Sequence, residues 1–164
     1  MLRDKNLIPL SHQHQHALAL CVRIQRASPI PEANLSAWQE EVVLLFRAEI
    51  GAHFAAEEAI IFPAARLFEE LVPLVAELLD EHSSMRETFL RAQAGELSAD
   101  ELCRLALRLS EHIRKEERQL FERMQALLTS EQLSALGAEL YRAFSEVDET
   151  CILPTEATRL RPAK

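Results

Sequence analysis

A ten-residue pattern that occurs twice limits what this chain can fold into more than any other feature. The two copies are HFAAEEAIIF, which begins at His53, and HIRKEERQLF, which begins at His112. In an α-helix, a residue four positions along lies one turn further on and about 40° around the axis. His53 with Glu57, and His112 with Glu116, would therefore each present an imidazole and a carboxylate on one helical face. Two such faces turned toward each other would form a dinuclear metal site.

The composition is typical of a single all-helical domain. The chain has 164 residues, with 48% hydrophobic residues, 5% aromatic residues and 3 glycines. A chain of this length can bury a core without disulfide or metal staples. The net charge of −8 disfavours nucleic acid or an anionic membrane as a partner.

Cysteine usage and the amino terminus indicate a cytoplasmic protein. The 3 cysteines are widely spaced, form no Cys-x-x-Cys pair and are typical of reduced thiols. No signal peptide is expected, and no segment approaches the roughly 20 apolar residues of a membrane span. We expect a monomer or a homodimer that binds neither membrane nor nucleic acid.

Helix start and stop signals divide the chain into five helices. The approximate predicted bounds are Ser11 to Arg26, Ser36 to Phe68, Pro73 to Gly95, Ser98 to Leu128 and Thr129 to Ser145. The capping boxes that support these starts are Ser36 with Gln39, Ser98 with Glu101 and Thr129 with Gln132. Pro63 predicts a kink or a local break in the second helix. Pro154 and Pro162 belong to a predicted tail.

Long helices with short connections favour an all-α fold, an up-and-down four-helix bundle over residues 1–128. Residues 129–164 would add a short C-terminal helix and the tail. At about 100° per residue, each bundle helix places one histidine on its apolar face. These histidines are His14, His53, His82 and His112. His12 lies on the opposite side of its helix, and His16 lies at the boundary, either on the surface or in an outer shell.

Two buried carboxylates beside four inward imidazoles need a compensating cation, because an unpaired buried charge is costly. A bound metal meets that need. The alternative is a metal-free network in which each glutamate bonds a protonated histidine. Glu58 and Glu117 point about 140° away from the motif histidines and are expected to be solvated or to act in an outer shell. Glu49 leans inward as an outer-shell partner or an extra ligand, and Glu81 is expected to face outward.

The first two helices repeat as the third and fourth, so the site is predicted to have pseudo-two-fold symmetry. This repeat aligns Gln13-His14 with Glu81-His82 and independently favours His14 as the inward histidine. Imidazole and carboxylate without thiolate suit iron, manganese or zinc. Carboxylates that can bridge two ions favour two iron ions first, then manganese, over a structural zinc.

Four segments of the chain resemble the hemerythrin-like family, the HHE cation-binding domains. They are Leu10 to His14, His53 to Pro63, Leu79 to His82 and Leu109 to Phe121, and the resemblance covers about residues 7–128. It implies a four-helix bundle with an oxo- or hydroxo-bridged di-iron centre. It also implies terminal ligands at His14, His53, His82 and His112, and bridging carboxylates at Glu57 and Glu116.

Two departures separate this sequence from the oxygen-carrying hemerythrins. Arg86 stands where those carriers have a second histidine in the third helix, and the carrier spacing would select Glu117 instead of Glu116 as the last carboxylate. Simple reversible oxygen carriage is therefore disfavoured. We expect a di-iron protein that binds or responds to O2, nitric oxide, peroxide or iron. The alternatives are a ferroxidase or peroxide-consuming enzyme and a metal-independent helical interaction module, and no residue is assigned a catalytic role.

Overall fold

In the computed structural model, the described residues are 2–145 and 156–160, and their regular elements are all helices. The first and third rods are α1, Ile8–Ala27, and α3, Val72–Gln93. The second rod, α2, consists of Glu32–Leu45, Gly51–Ala56 and Phe62–Ala65, joined by π-helical turns at Phe46–Ile50 and Glu57–Ile61. The fourth rod, α4, consists of Ala99–Lys115 and Phe121–Leu127 with a π-helical turn at Glu116–Leu120 between them. Two shorter helices follow, α5 at Ser130–Ser145 and α6 at Glu156–Arg159.

The four rods form the predicted all-α bundle. The most extensive contacts join α1 with α4 and α2 with α3, and further contacts join α3 with α4 and α1 with α2. Consecutive rods are therefore neighbours, as short connections require. No helix in the described part of the chain is both long enough and apolar enough to cross a membrane. The division into units at 1–128 and 129–164 stays a prediction.

Several predicted helix ends are confirmed by their capping contacts. Ser98 and Glu101 form the expected capping box at the start of α4. Thr129 and Gln132 exchange the same two backbone-to-side-chain hydrogen bonds at the start of α5. Gly95 ends α3 in a left-handed conformation with φ of +73°, which a residue with a Cβ adopts only at a cost.

The predicted start of α2 at Ser36 is wrong. The helix begins at Glu32, directly after Pro31, and Ser36 lies in its second turn. Gln39 does not cap it but is buried, and its side-chain oxygen accepts a hydrogen bond from the Leu97 backbone N–H. The helix can begin one turn earlier than predicted because Pro31 has extended backbone at the N-cap position. Glu32 then supplies an acidic side chain in the first turn, where it interacts favourably with the helix dipole.

A π-helical turn lies just before Pro63, near the predicted kink or local break, and α2 ends at Ala65 instead of Phe68. In both motif copies this turn begins at the first glutamate. The N–H of Phe62 bonds the carbonyl of Glu57 five residues back, and the N–H of Phe121 bonds that of Glu116. The second copy has no proline at this position, so Pro63 is not the cause of the turn. Such turns are frequent at functional sites.

A polar layer divides the apolar core into two clusters. The first cluster contains Trp38, Phe54, Phe89, Leu102 and Leu109, among others. The second contains Leu10, Phe62, Leu78, Phe121 and Leu140, among others. Along each rod the inward histidine stands between a residue of one cluster and a residue of the other. The bundle therefore positions its histidines at one level.

The C-terminal helices pack on the bundle. Leu133 and Leu140 of α5 are buried in the second cluster, and Ala157 of α6 is buried in the first. A Cβ at Gly137 would lie 2.4 Å from the side-chain oxygen of Asn6, so α5 lies very close to the amino-terminal segment. The predicted tail prolines, Pro154 and Pro162, lie outside the described residues.

Replacing Leu140 by alanine should lower the free energy of unfolding of the whole protein by about 2–5 kcal/mol, because it leaves a cavity in a packed core. The neighbouring Tyr141, which is 73% exposed, is the matched control. Its replacement by alanine should change the free energy by about 0.5 kcal/mol or less. Urea unfolding of both variants measures the difference. Equal small effects would show that α5 does not contribute to the bundle core.

Candidate metal centre

All six residues predicted as metal ligands meet in the polar layer between the two apolar clusters. Each bundle helix contributes one histidine, and α2 and α4 also contribute one glutamate each. The relative exposures are His14 3%, His53 4%, His82 0%, His112 1%, Glu57 0% and Glu116 0%. Four imidazoles and two carboxylates are thus removed from solvent together.

The histidines form two pairs. In half-site 1, the Nε2 atoms of His14 and His53 lie 2.9 Å apart. In half-site 2, the Nε2 atoms of His82 and His112 lie 3.0 Å apart. Each pair, together with Glu57 and Glu116, forms a group of ligand atoms compact enough to hold a metal ion.

The two glutamates lie between the half-sites and face both. Glu57 places Oε1 3.2 Å from His53 Nε2 and Oε2 3.5 Å from His82 Nε2. Glu116 places Oε2 3.2 Å from His14 Nε2 and Oε1 3.1 Å from His112 Nε2. None of these four buried oxygen atoms accepts a hydrogen bond. Such orphaned oxygens are costly unless something positive satisfies them.

In each of the four inward histidines, the ring nitrogen that points away from the layer, Nδ1, has a side-chain oxygen partner. The Nδ1 contacts are His14 with Glu117 at 2.7 Å, His53 with Gln13 at 2.8 Å, His82 with Glu58 at 2.8 Å and His112 with Glu81 at 2.7 Å. An oxygen acceptor requires the Nδ1 atom to carry the proton. Each neutral imidazole therefore directs a bare Nε2 lone pair into the layer.

These contacts assign roles that the sequence patterns left open or predicted wrongly. Glu58 and Glu117 are outer-shell partners, one of the two roles expected for them. Glu81, predicted to face outward, is half-buried and accepts the hydrogen bond from His112. The helical wheel gives the angle of Glu81 around the axis of α3, but it contains no information on where α4 packs beside α3. The predicted repeat aligns Glu81 with Gln13, and each of the two side chains contacts the histidine of a ten-residue motif. The repeat was therefore the sequence signal that related their roles.

Each outer carboxylate also pairs with a cation nearer the surface. Arg86 donates to Glu58 at 2.7 Å, and its guanidinium lies 5.4 Å from the centre of the Phe54 ring. Arg3 donates to Glu117, and Lys115 donates to Glu81. Arg86, which replaces the second histidine of the oxygen carriers, therefore belongs to the outer network. Half-site 2 has two imidazoles, the same number as half-site 1.

Three other candidate residues lie outside the cluster. Glu49, expected to lean inward, instead lies 2.9 Å from Nδ1 of the exposed His16 at the surface. His12 is exposed, as its position opposite the apolar stripe predicts.

Aromatic rings wall the layer. Phe121 stacks on His14 at 5.7 Å between ring centres, and Phe62 lies 5.4 Å from His82. Phe54 stacks on His82 at 3.7 Å. The last residue of each ten-residue motif thus covers the histidine of the other helix pair that lies outside the motif, and it shields that histidine from bulk water.

The carboxylates strongly influence the protonation of the layer. Burial opposes the charged form, but Glu116 and Glu117 raise the pKa of His14 to about 9. Burial likewise opposes charge on His112, where Glu116 and Glu81 raise the pKa to about 10. Despite burial, His112 and His14 hold the pKa of Glu116 well below its usual range. Two negative carboxylates therefore demand about two positive charges, from protons or from metal.

Metal cations fit the donor atoms of the cluster. Two neutral Nε2 lone pairs 2.9–3.0 Å apart repel each other unless a positive centre, a proton or a metal ion, lies between them. The same ions would satisfy the four orphaned carboxylate oxygens. The donor set of imidazole and carboxylate suits iron, manganese or zinc.

The fold and the cluster define a helical bundle with a buried cation site of histidine and glutamate. The family model of the Hemerythrin HHE cation binding domain matches residues 9–124. The chain therefore belongs to the hemerythrin HHE cation-binding family, as its motifs predicted. Comparisons with curated proteins and with solved structures found no match.

In the metal-free protein, the free energy of unfolding should fall as the pH rises from about 6.5 to 10. The folded-state pKa values of His14 and His112, about 9 and about 10, lie above the ordinary value of about 6.5. Their protonation therefore stabilises the folded state fully below pH 6.5, and this contribution is lost as the pH passes the folded values. Thermal unfolding of chelator-treated and metal-loaded protein across this range measures it. The loaded protein should lose less, and a parallel decline in both would contradict the assignment.

Proposed function

We propose that this chain is a non-haem di-iron protein that binds or responds to O2, nitric oxide, peroxide or iron itself. The observation that carries the proposal is the pair of fully buried glutamates whose four oxygens lack hydrogen bonds and face two pairs of imidazole nitrogens. A pair of cations satisfies the whole arrangement, whereas one cation would leave one histidine pair unsatisfied.

In the proposed site, the four histidines are terminal ligands and the two glutamates bridge. His14 and His53 would hold one ion, and His82 and His112 the other. Glu57 and Glu116 support bridging because each directs one oxygen to each half-site. Glu117, set by the carrier spacing as the competing bridge, supports the site from outside through His14 Nδ1.

When bound, iron would supply electron transfer and open positions for a small ligand. The protein residues orient the ligands and shield the site from solvent. The outer carboxylates and Gln13 keep the proton on Nδ1, which fixes each ring with Nε2 inward. The phenylalanine rings exclude bulk water.

A small cavity beside the cluster supports a small-molecule ligand. Its volume is about 10 Å³, and three of the four inward histidines line it together with Glu116, Gln13 and Ala17: His14, His53 and His112. That volume is about the lower limit for one water molecule, so the cavity suits a ligand of one or two heavy atoms. A bulky organic substrate would not fit.

The arrangement favours sensing, detoxification or iron handling over simple oxygen carriage, because Arg86 supplies no imidazole to half-site 2. A ferroxidase or peroxide-consuming enzyme would use the same centre. Repeated turnover with Fe(II) or peroxide would identify an enzyme, whereas one stoichiometric oxidation would support binding or sensing.

The purified protein should contain about two irons per chain by elemental analysis, with near-ultraviolet charge-transfer absorption in air. Replacing His53 or His112 by alanine should reduce the iron content by at least one ion per chain, since each removes a proposed terminal ligand. His12→Ala is the matched control because His12 is an exposed histidine on the same bundle. Iron content unchanged in the two ligand variants would refute the proposed ligands. Unaltered function in iron-free protein would favour the interaction module.

Enlarging Ala17 to valine should fill the cavity and weaken the binding of azide or nitric oxide to the iron-loaded protein. We expect at least a tenfold loss of affinity with iron content retained. Ala106→Val is a control in the same core, at a buried alanine that does not line the cavity. Optical titration of both variants measures the affinity. Equal affinities in the wild type and Ala17→Val would place the ligand elsewhere.

A further inference from the structure

The two half-sites differ in one outer hydrogen-bond partner. Three of the four histidine Nδ1 atoms face a carboxylate, but His53 faces the neutral amide oxygen of Gln13. Both histidines of half-site 2 therefore have anionic partners, whereas half-site 1 has one anionic and one neutral partner.

The difference lies at corresponding positions of the two halves. Gln13 directly precedes His14 on α1, and Glu81 directly precedes His82 on α3. Gln13 lies 2.8 Å from Nδ1 of His53, and Glu81 lies 2.7 Å from Nδ1 of His112. Glutamine and glutamate have nearly the same shape, so the contrast between these contacts is mainly one of charge.

A carboxylate acceptor makes an imidazole a stronger metal ligand than an amide acceptor does. It draws the Nδ1 proton toward itself and leaves more electron density at Nε2. Removing such an outer partner commonly changes metal affinity by about 10–100-fold. Half-site 2 should hold a cation more tightly on this ground.

The surface cations moderate this contrast without reversing it. Lys115 donates to Oε1 of Glu81, whereas His112 uses Oε2 of the same carboxylate. Arg3 likewise donates to the oxygen of Glu117 that His14 does not use, whereas Arg86 and His82 share Oε1 of Glu58. Each of the three carboxylates thus has one cation partner and keeps its negative charge on the histidine, and Gln13 remains the neutral exception among the outer partners.

We infer that the two metal positions are unequal by construction: half-site 2 fills first and binds more tightly, and Gln13 is the positioning residue that keeps half-site 1 weaker. This inference rests on the proposed dinuclear function. The small cavity is lined by both histidines of the weaker position and by one histidine, His112, of the tighter position.

Titration of metal-free protein with Co(II), followed by visible absorption and calorimetry, tests this order. Wild type should show two steps whose dissociation constants differ by at least about tenfold. His53→Ala should retain the tighter step, and His112→Ala should retain the weaker one. These two variants assign each step to a half-site.

Exchange of the outer partners then tests the cause. Gln13→Glu should tighten the weaker step by about tenfold, and Glu81→Gln should weaken the tighter step by about tenfold. The double variant Gln13→Glu/Glu81→Gln should reverse the order, so that His112→Ala in that background retains the tighter step. Gln15→Glu is the charge-matched control, because Gln15 is exposed on the same helix, and it should leave the ratio unchanged.

Two equal steps in the wild type, or an order unaffected by the double exchange, would overturn the inference while leaving the dinuclear site intact. Equal effects of Gln13→Glu and Gln15→Glu would also overturn it, because general charge and not the hydrogen bond would then be responsible. Absence of Co(II) binding would overturn the proposed function as well. Should Gln13→Glu not fold, the loss of affinity in Glu81→Gln still decides the inference.

Discussion

Two glutamate carboxylates lie in a buried layer of the bundle, where their negative charge must be compensated. Glu57 and Glu116 have no hydrogen-bond donors for any of their four oxygens, and they stay ionised because positive charge is available beside them. An uncompensated pair of charges in this position would cost several kcal/mol per ion. The four histidines, the separation of the apolar core into two clusters and the surrounding outer shell follow from the need to satisfy that layer.

Each ten-residue motif connects the two halves of the bundle, which are the helix pair α1 and α2 and the helix pair α3 and α4. Its histidine and first glutamate face the layer from their own helix. Its second glutamate and its terminal phenylalanine contact the histidine of the other half that lies outside the motif, as Glu58 and Phe62 do with His82. Glu117 and Phe121 do the same with His14. Each half therefore orients a histidine of the other, so the site requires the complete bundle.

Departures from exact two-fold symmetry carry the functional information. The inward residues match between the halves, but Gln13 occupies the position that corresponds to Glu81. A small cavity is lined by both histidines of half-site 1 and by one histidine, His112, of half-site 2. Arg86 strengthens the outer network through Glu58 instead of adding a ligand. Under the proposed function, a nearly symmetrical scaffold would present two metal positions of different affinity.

Helical periodicity was enough to predict the bundle and the six candidate ligands, because it is a local property that can be counted along the chain. The capping-box pattern placed the start of α2 one turn too late, and periodicity turned Glu49 inward. The roles of Glu58, Glu81 and Glu117 were decided only in the tertiary structure, since each contacts a histidine on a neighbouring helix. The angle of Glu81 on α3 predicted solvent, but the approach of α4 brought His112 within 2.7 Å. The π-helical turns at the motif glutamates could not be predicted from helical periodicity either, because counting at 100° per residue assumes a uniform α-helix. Local repetition identifies which faces meet, whereas the packing of helices decides what each side chain touches.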